Sequence, residues 1–447
     1  MSLHHPFVAA LLAAAPLSPQ DPEPARNQPS TLESSVVALR AALEEPNPNE
    51  RARHVERMAG SDVPLEIWKE AIAEVSRPVK PERTGSWSEE WSLWDGAQVV
   101  QTWVHLYAPR NVPDSGLMPL VVGGGNNGSA VIGHHQGTSE EIGMMIVGVD
   151  PTEELFAFGG YGFTEAERQL QLSALREAKR RFPIDSNRVF HSGHSRGGHL
   201  TWDVGLRNPD QFAGLLPMTG GPRLTVQRGQ NNMRLLENVA HISVRDLQGS
   251  LDDPLLLYNL RLSFEKLRDL GARDAQLIEF PHLGHVWSWE GVDWPQWFSE
   301  TQREPLPVNV VRLTDRPGAA RSFWLQIDSV NSRKVKASFK ISVAASRWQT
   351  MDDNARRRYV ASAAEERTAR LSGRFVEPGQ FEVEGEHVRS FSLLLSEEML
   401  GQEEKIRVRW NGRRKARSIE RDVRVLLGDF VERIDPTFLP VVQISVR

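Results

Sequence analysis

The stretch Val189-Phe190-His191-Ser192-Gly193-His194-Ser195-Arg196-Gly197-Gly198 constrains the chain more than any other. A short apolar run meets Gly-x-Ser-x-Gly, and residues suited to a helix follow at once. A serine in that setting suits a tight strand-to-helix turn that holds its hydroxyl at the end of a sheet. The flanking glycines let neighbouring backbone come close. Gly198 adds a third small residue where the new helix must settle on the sheet. A Gly- and Ser-rich loop would match the same letters, so the weight falls on whether the rest of the chain supplies partners in a compatible order.

The surrounding sequence alternates strand and helix. Buried strands are expected at Leu120–Val122, Gly143–Val149, Asn187–Gly193, Phe212–Met218, Val239–Leu247 and Ala275–Phe280. Amphipathic helices are expected at Thr164–Arg181, Gly197–Arg207, Pro254–Leu270 and Trp294–Glu300. A hairpin turning at Asp95-Gly96, with the strand Gln98–Tyr107, precedes them. Trp87, Trp91 and Trp94 are read as packing residues. Repeated βα units imply a mainly parallel sheet with helices on both faces. Ligands bind such sheets at the carboxyl ends of the strands.

Serine is a poor nucleophile unless a base accepts its proton and a carboxylate orients that base. After a strand-turn-helix serine, the expected chain order is acid and then histidine. The strand Val239–Leu247 runs into Gln248-Gly249-Ser250-Leu251-Asp252-Asp253-Pro254. Asp252 is the candidate acid and Asp253 the alternative, the other capping the helix that starts at Pro254. The next strand ends in Phe280-Pro281-His282-Leu283-Gly284-His285. His285 is the candidate base and His282 the alternative. Acyl transfer also needs donors for an oxyanion. The Arg196 backbone N–H is one candidate. The loop Gly123-Gly124-Gly125-Asn126-Asn127-Gly128 offers Gly125 as the second, with Gly124 and Asn126 as alternatives. That loop lacks the Gly-Lys-Ser/Thr of a nucleotide site. The histidines His134, His135, His191, His194 and His199 show no metal-ligand spacing, so no metal and no other cofactor is expected. With no cysteine in the chain, thiol nucleophiles, thiolate metal sites and disulfides are excluded.

At 447 residues the chain is long enough for several domains. It carries 53 Lys and Arg against 58 Asp and Glu. From residue 305 onward the balance reverses, to 26 against 19, which places a boundary near 305. The expected division is a leader at 1–29, a helical preface at 30–85, the α/β unit at 86–304 and a C-terminal β unit at 305–447. Helices are expected in the preface at Thr31–Glu45, Asn49–Ala59 and Pro64–Val75. The last unit is read as an all-β sandwich. Its expected strands are Phe323–Val330, Val335–Val343, Phe381–Glu384, His387–Leu395, Lys405–Trp410, Val423–Leu427 and Val441–Val446, with an insert near Asp352–Arg370. Asn411-Gly412 is a two-residue hairpin turn. The run Phe7–Ala15 is too short to span a membrane. Followed by a Pro-rich stretch, it reads as a cleaved secretory signal, hence a secreted or periplasmic protein. Arg413-Arg414-Lys415 is read as a solvated loop, so no nucleic-acid partner is expected.

From about Gln98 to Thr301 the chain resembles the α/β-hydrolase superfamily. It looks closest to the branch of dienelactone hydrolases, polyhydroxybutyrate-depolymerase-like esterases and prolyl-oligopeptidase catalytic domains. The residues that carry the resemblance are Asp185–Val189, Gly193–Gly198, Trp202, Asn208–Ala213, Gly249-x-x-Asp252 and Gly284-His285. Two departures stand out. Val122 precedes the glycine loop where relatives commonly have His, and Gln248 stands before Gly249 where many have His. The resemblance implies a serine hydrolase that cleaves an ester of a small molecule or one linked to a carbohydrate or aryl group. A peptidase of the prolyl-oligopeptidase-like branch, or a catalytically silent glycan-binding protein on the same scaffold, is the alternative. The C-terminal unit resembles accessory modules of secreted bacterial hydrolases.

Overall fold

The structure, a computed structural model, describes residues 31–112, 116–157, 160–224, 231–272 and 274–447. The run Phe7–Ala15 and the leader expected around it lie outside the described residues. Among the described residues, no helix is long and apolar enough to cross a membrane.

Three helices come first: α1 (Thr31–Glu44), α2 (Pro48–Ala59) and α3 (Leu65–Val75). The Asn47 side chain caps α2 by accepting from the Asn49 amide, with Pro48 at the first position, where its missing N–H costs nothing. Strands β1 (Gly85–Trp94) and β2 (Val99–Ala108) form the hairpin, with Trp94 opposite Val99. There follow β3 (Met118–Gly124), α4 (Ser129–Ile142), β4 (Met145–Val149), α5 (Glu153–Ala157), α6 (Glu165–Arg181) and β5 (Ile184–His194). The alternation ends with α7 (Arg196–Arg207), β6 (Gly214–Met218), β7 (Ser243–Gly249), α8 (Pro254–Asp269), β8 (Ala275–Phe280) and α9 (Trp294–Glu300).

These strands make one sheet in the order β1-β2-β4-β3-β5-β6-β7-β8. Neighbours from β4 through β8 run parallel, while the β1–β2 and β2–β4 pairings are antiparallel. Leu120, Val122, Met145 and Val147 enter a core with α6, α7 and α8, whereas Val121, Ile146, Phe190 and Leu216 enter another with α4 and α9. Burial on both faces is why these strands read as uninterrupted apolar runs. The order turns back at β3, between β4 and β5, which opens a crevice at the carboxyl ends of these strands.

The rest comprises β9 (Asn309–Thr314), β10 (Ala320–Ser322), β11 (Leu325–Val330), α10 (Ala345–Thr350), α11 (Asp353–Glu365), β12 (Ala369–Glu377) and β13 (Gln380–Glu386). After them come β14 (Val388–Ser396), α12 (Glu397–Leu400), β15 (Lys405–Trp410), β16 (Arg413–Ser418), α13 (Val423–Arg433) and β17 (Pro440–Val446). They form a sheet β10-β11-β14-β17 and a sheet β16-β15-β13-β12-β9. One apolar core takes residues from both sheets, from α13 and from α1, α2 and α3, including Leu39, Trp68, Phe391 and Phe430.

Three segments differ from expectation. Arg413-Arg414-Lys415, expected as a loop, opens strand β16, pairing with Trp410, Arg409 and Val408 of β15 across the Asn411-Gly412 turn. Val423–Leu427, expected as a strand, is the start of helix α13. Asp422 caps it by accepting from the Arg424 amide, and Leu426, Leu427, Phe430 and Val431 share its buried face. Five residues show too little of a 3.6-residue period, which only Phe430 and Val431 complete. Val335–Val343 forms no strand. Arg234 donates to the carbonyls of Lys336 and Ala337, and Val335 closes a turn onto Asn331, so this backbone finds its partners outside any sheet.

Buried ion pairs join this region to the α/β sheet. Arg234 meets Asp315 at 2.9 Å with both side chains fully buried, Arg303 meets Asp435 at 2.6 Å, and Arg433 meets Asp210 at 2.9 Å. Arg207 joins Asp315 at 2.9 Å to Asp203 at 3.2 Å, and Arg168 reaches Asp203 at 2.7 Å.

Candidate active site

Strand β5 ends at His194 and α7 begins at Arg196, so Ser195 alone makes the turn. Its backbone sits at φ 57°, ψ −110°, a conformation that a non-glycine residue keeps only when its surroundings enforce it. The Ser195 amide donates to the Met218 carbonyl at 2.8 Å and its carbonyl accepts from the His199 amide. A Cβ on Gly197 would collide with the Gly124 carbonyl. Glycine at 197 is therefore what lets the loop after β3 lie against the first turn of α7.

The acid and histidine loops are held by their backbones. The Ser250 amide donates to the Phe280 carbonyl and the Leu251 amide to the Leu283 carbonyl. A Cβ on Gly249 would run into the Gly284 carbonyl, so only glycine permits this approach. The result brings Ser195, Asp252 and His285 together. His285 Nε2 lies 2.7 Å from Ser195 Oγ, and His285 Nδ1 lies 2.9 and 3.1 Å from the two oxygens of Asp252. The carboxylate can only accept, so Nδ1 carries the proton and Nε2 is free to take one from the hydroxyl. The Asp252 side chain is 6% exposed and that of His285 is 50% exposed. The other two candidates lie elsewhere: Asp253 caps α8 by accepting from the Leu255 amide, and His282 donates its amide to Ser250.

The expected oxyanion donors are neighbours. A Cβ on Gly125 would stand 3.2 Å from the Gly197 nitrogen, which places this backbone beside residues 196 and 197. Gly124 turns its carbonyl toward Gly197, while a Cβ on it would meet Gln171 and the Val149 carbonyl. The Arg196 guanidinium is buried, 2.9 Å from Glu167 and 2.8 Å from the Leu155 carbonyl. Glu167 is also the capping-box residue of α6, so this pair ties the loop before α6 to the first residue of α7.

Sequence reasoning assigned no role to Gln248. It is fully buried, and its Nε2 donates to Asp252 Oδ2 at 2.6 Å. Its place at the end of β7, four residues before an acid, was the one available signal. Burial pushes His135 and His191 down to about 3. Burial and then His194 push His134 down to about 4. Burial lowers His194 and His199 as well. Ser192 Oγ donates to the Leu216 carbonyl, so it accepts from His135 Nε2 at 2.9 Å. Among the described residues no group of three or more His, Cys, Asp or Glu could hold a metal ion.

No family model matches the chain and no curated protein sequence does. Solved structures that it resembles include a thermostable esterase, at 19% identity and TM-score 0.39 over 49% of this chain and 63% of that one. An S-formylglutathione hydrolase from Staphylococcus aureus matches at 15% identity and TM-score 0.37, over 49% of this chain and 96% of that one. An acylaminoacyl peptidase from Pyrococcus horikoshii matches at 14% identity and TM-score 0.40, over 50% of this chain and 43% of that one. The sheet itself is decisive about the fold: eight strands in the order 1-2-4-3-5-6-7-8, parallel from the third onward and covered by helices on both faces, are the α/β-hydrolase architecture.

Proposed function

We propose that the protein is a serine hydrolase that cleaves carboxylic esters through an acyl-enzyme. The observation that carries this reading is the continuous chain from Ser195 Oγ to His285 to Asp252, set on a strained turn at the carboxyl end of β5. Ser195 Oγ attacks the acyl carbon while His285 Nε2 takes its proton. Asp252 fixes the tautomer and stabilises the imidazolium. The amides of Arg196 and Gly125 receive the charge that develops on the carbonyl oxygen, at the positive end of α7. His285 then protonates the leaving alcohol. Water enters, His285 removes its proton, and the acid departs.

An ester is favoured over an amide because its leaving group needs less assistance. An aryl or carbohydrate-linked ester suits the indoles near the site, where Trp287 lies 4.5 Å from His194 ring to ring and His194 in turn 5.6 Å from His285.

A fluorophosphonate probe is expected to add one mass equivalent to the native chain and none to Ser195→Ala. An adduct that persists in that variant sinks the assignment. A panel of p-nitrophenyl, feruloyl and acetylated-sugar esters beside dipeptide amides tests the leaving group. Faster turnover of the amides would replace the esterase reading with a peptidase.

A further inference from the structure

A cavity of about 360 Å³ lies between α6, α7, α13 and the segment 312–321, away from Ser195. Six arginines line it, Arg168, Arg207, Arg312, Arg316, Arg321 and Arg433, against the carboxylates Glu165 and Asp210. Five of the six have a carboxylate partner. Arg168 and Arg207 hold Asp203, Arg321 holds Asp429, Arg433 holds Asp210, and Arg316 reaches Glu165 at 3.4 Å. Arg312 differs. It is 6% exposed, and its Nη2 donates to the Arg207 carbonyl at 2.7 Å. Its Nε and Nη1 are buried with no hydrogen-bond partner among the described residues.

A buried guanidinium with no directly bonded carboxylate and two nitrogens without a partner is unfavourable in a folded protein. The surroundings reflect it. Burial pushes Arg312 down to about 10, with Asp210 and Asp315 opposing and Arg207 assisting. Arg316 is lowered too, by burial and then by Arg207 and Arg168. Positive charge is in excess, and it arrives from separate elements on different sides.

We propose that this cavity binds a tetrahedral oxyanion, a phosphate or sulfate group, free or as a monoester. One partnerless edge of the Arg312 guanidinium donates to its oxygens, and Arg316 lines the same cavity. Arginine matches such groups because its planar donors are fixed and permanently charged. Positive side chains placed around the cavity by separate elements suit a tetrahedral dianion better than a flat carboxylate. The site stands whether or not Ser195 is a nucleophile.

The test is titration of the full chain with inorganic phosphate and with sulfate at constant ionic strength, read by calorimetry and by melting temperature. Saturable binding is expected, with a matching rise in Tm. Arg312→Gln is expected to weaken it at least tenfold. Arg316→Gln, at a part-exposed side chain that the fold tolerates more easily, is expected to weaken it several-fold. Phenyl phosphate binding as tightly as inorganic phosphate would assign an esterified source, and weaker binding the free ion. The proposal is overturned by an equal Tm rise with sodium chloride or acetate, by an absence of binding, or by binding that both variants leave unchanged.

Discussion

Helix α7 carries two constellations of polar groups, and they are built on opposite principles. At its N-terminus Ser195 touches a histidine whose side chain is 50% exposed, and one proton has somewhere to go. Two turns along, Asp203 is fully buried and takes hydrogen bonds from Arg168, Arg207, Tyr161 and Asn232. Burial alone would raise Asp203, but Arg207 and then Arg168 hold it down to about 2. A reacting centre needs a group that changes charge at the working pH. A seam needs groups that never do, and arginine with a paired carboxylate supplies them.

That contrast can be broken from either side. The largest effect is expected from Ser195→Ala, which should lower kcat by about 10⁴-fold or more while Tm holds or rises. A variant that loses stability instead would mean the serine is structural. Asp203→Ala should do the reverse, costing about 3–5 kcal/mol in denaturant unfolding because Arg168 and Arg207 stay buried without their partner. Gly249→Ala tests whether backbone packing sets the reacting geometry. A shift of the histidine loop of about an ångström should lower kcat by roughly 100-fold with KM little changed. Gln248 is the finer test. Gln248→Leu should lower kcat about tenfold through loss of one hydrogen bond to a carboxylate. Gln248→Glu should also move the acid limb of kcat/KM to higher pH, which a merely structural role would not do.

The smallest effect concerns Asp246, buried on β7 with the Trp202 indole donating to it at 2.7 Å. Burial holds its carboxyl well above the ordinary value of 3.8. Its folded value exceeds its unfolded one, so the stability it gives is full below 3.8 and falls as pH rises toward the folded value. Asp246→Asn should therefore melt at a higher temperature than wild type near neutral pH, with the gap closing in acid. A gap that widens in acid would reverse the assignment.

Local pattern made the sheet, the turn and the order of the three residues readable in the sequence. The central strands are short apolar runs, and each candidate side chain lies within a few residues past the end of one. What stayed hidden depends on distant partners. Nothing near Gly249 announces the Gly284 carbonyl, and nothing near Gln248 says that its amide faces Asp252 and not solvent. Val335–Val343 has the composition of a strand, but Arg234 takes its carbonyls. Val423–Leu427 has β-branched letters, but its period belongs to a longer helix.

The packing of α1, α2 and α3 against α13 and the last strands has a consequence for synthesis. Arg51 and Glu432 are bonded across 381 positions, and Leu39, Trp68 and Phe430 occupy one core. A ribosome releases the chain in order, so the early helices emerge with their apolar faces uncovered. The 381 positions from Arg51 to Glu432 must be made before α13 and β17 can shelter them. Until α13 and β17 are made, those faces are the kind of exposed apolar surface that invites aggregation or a holding chaperone.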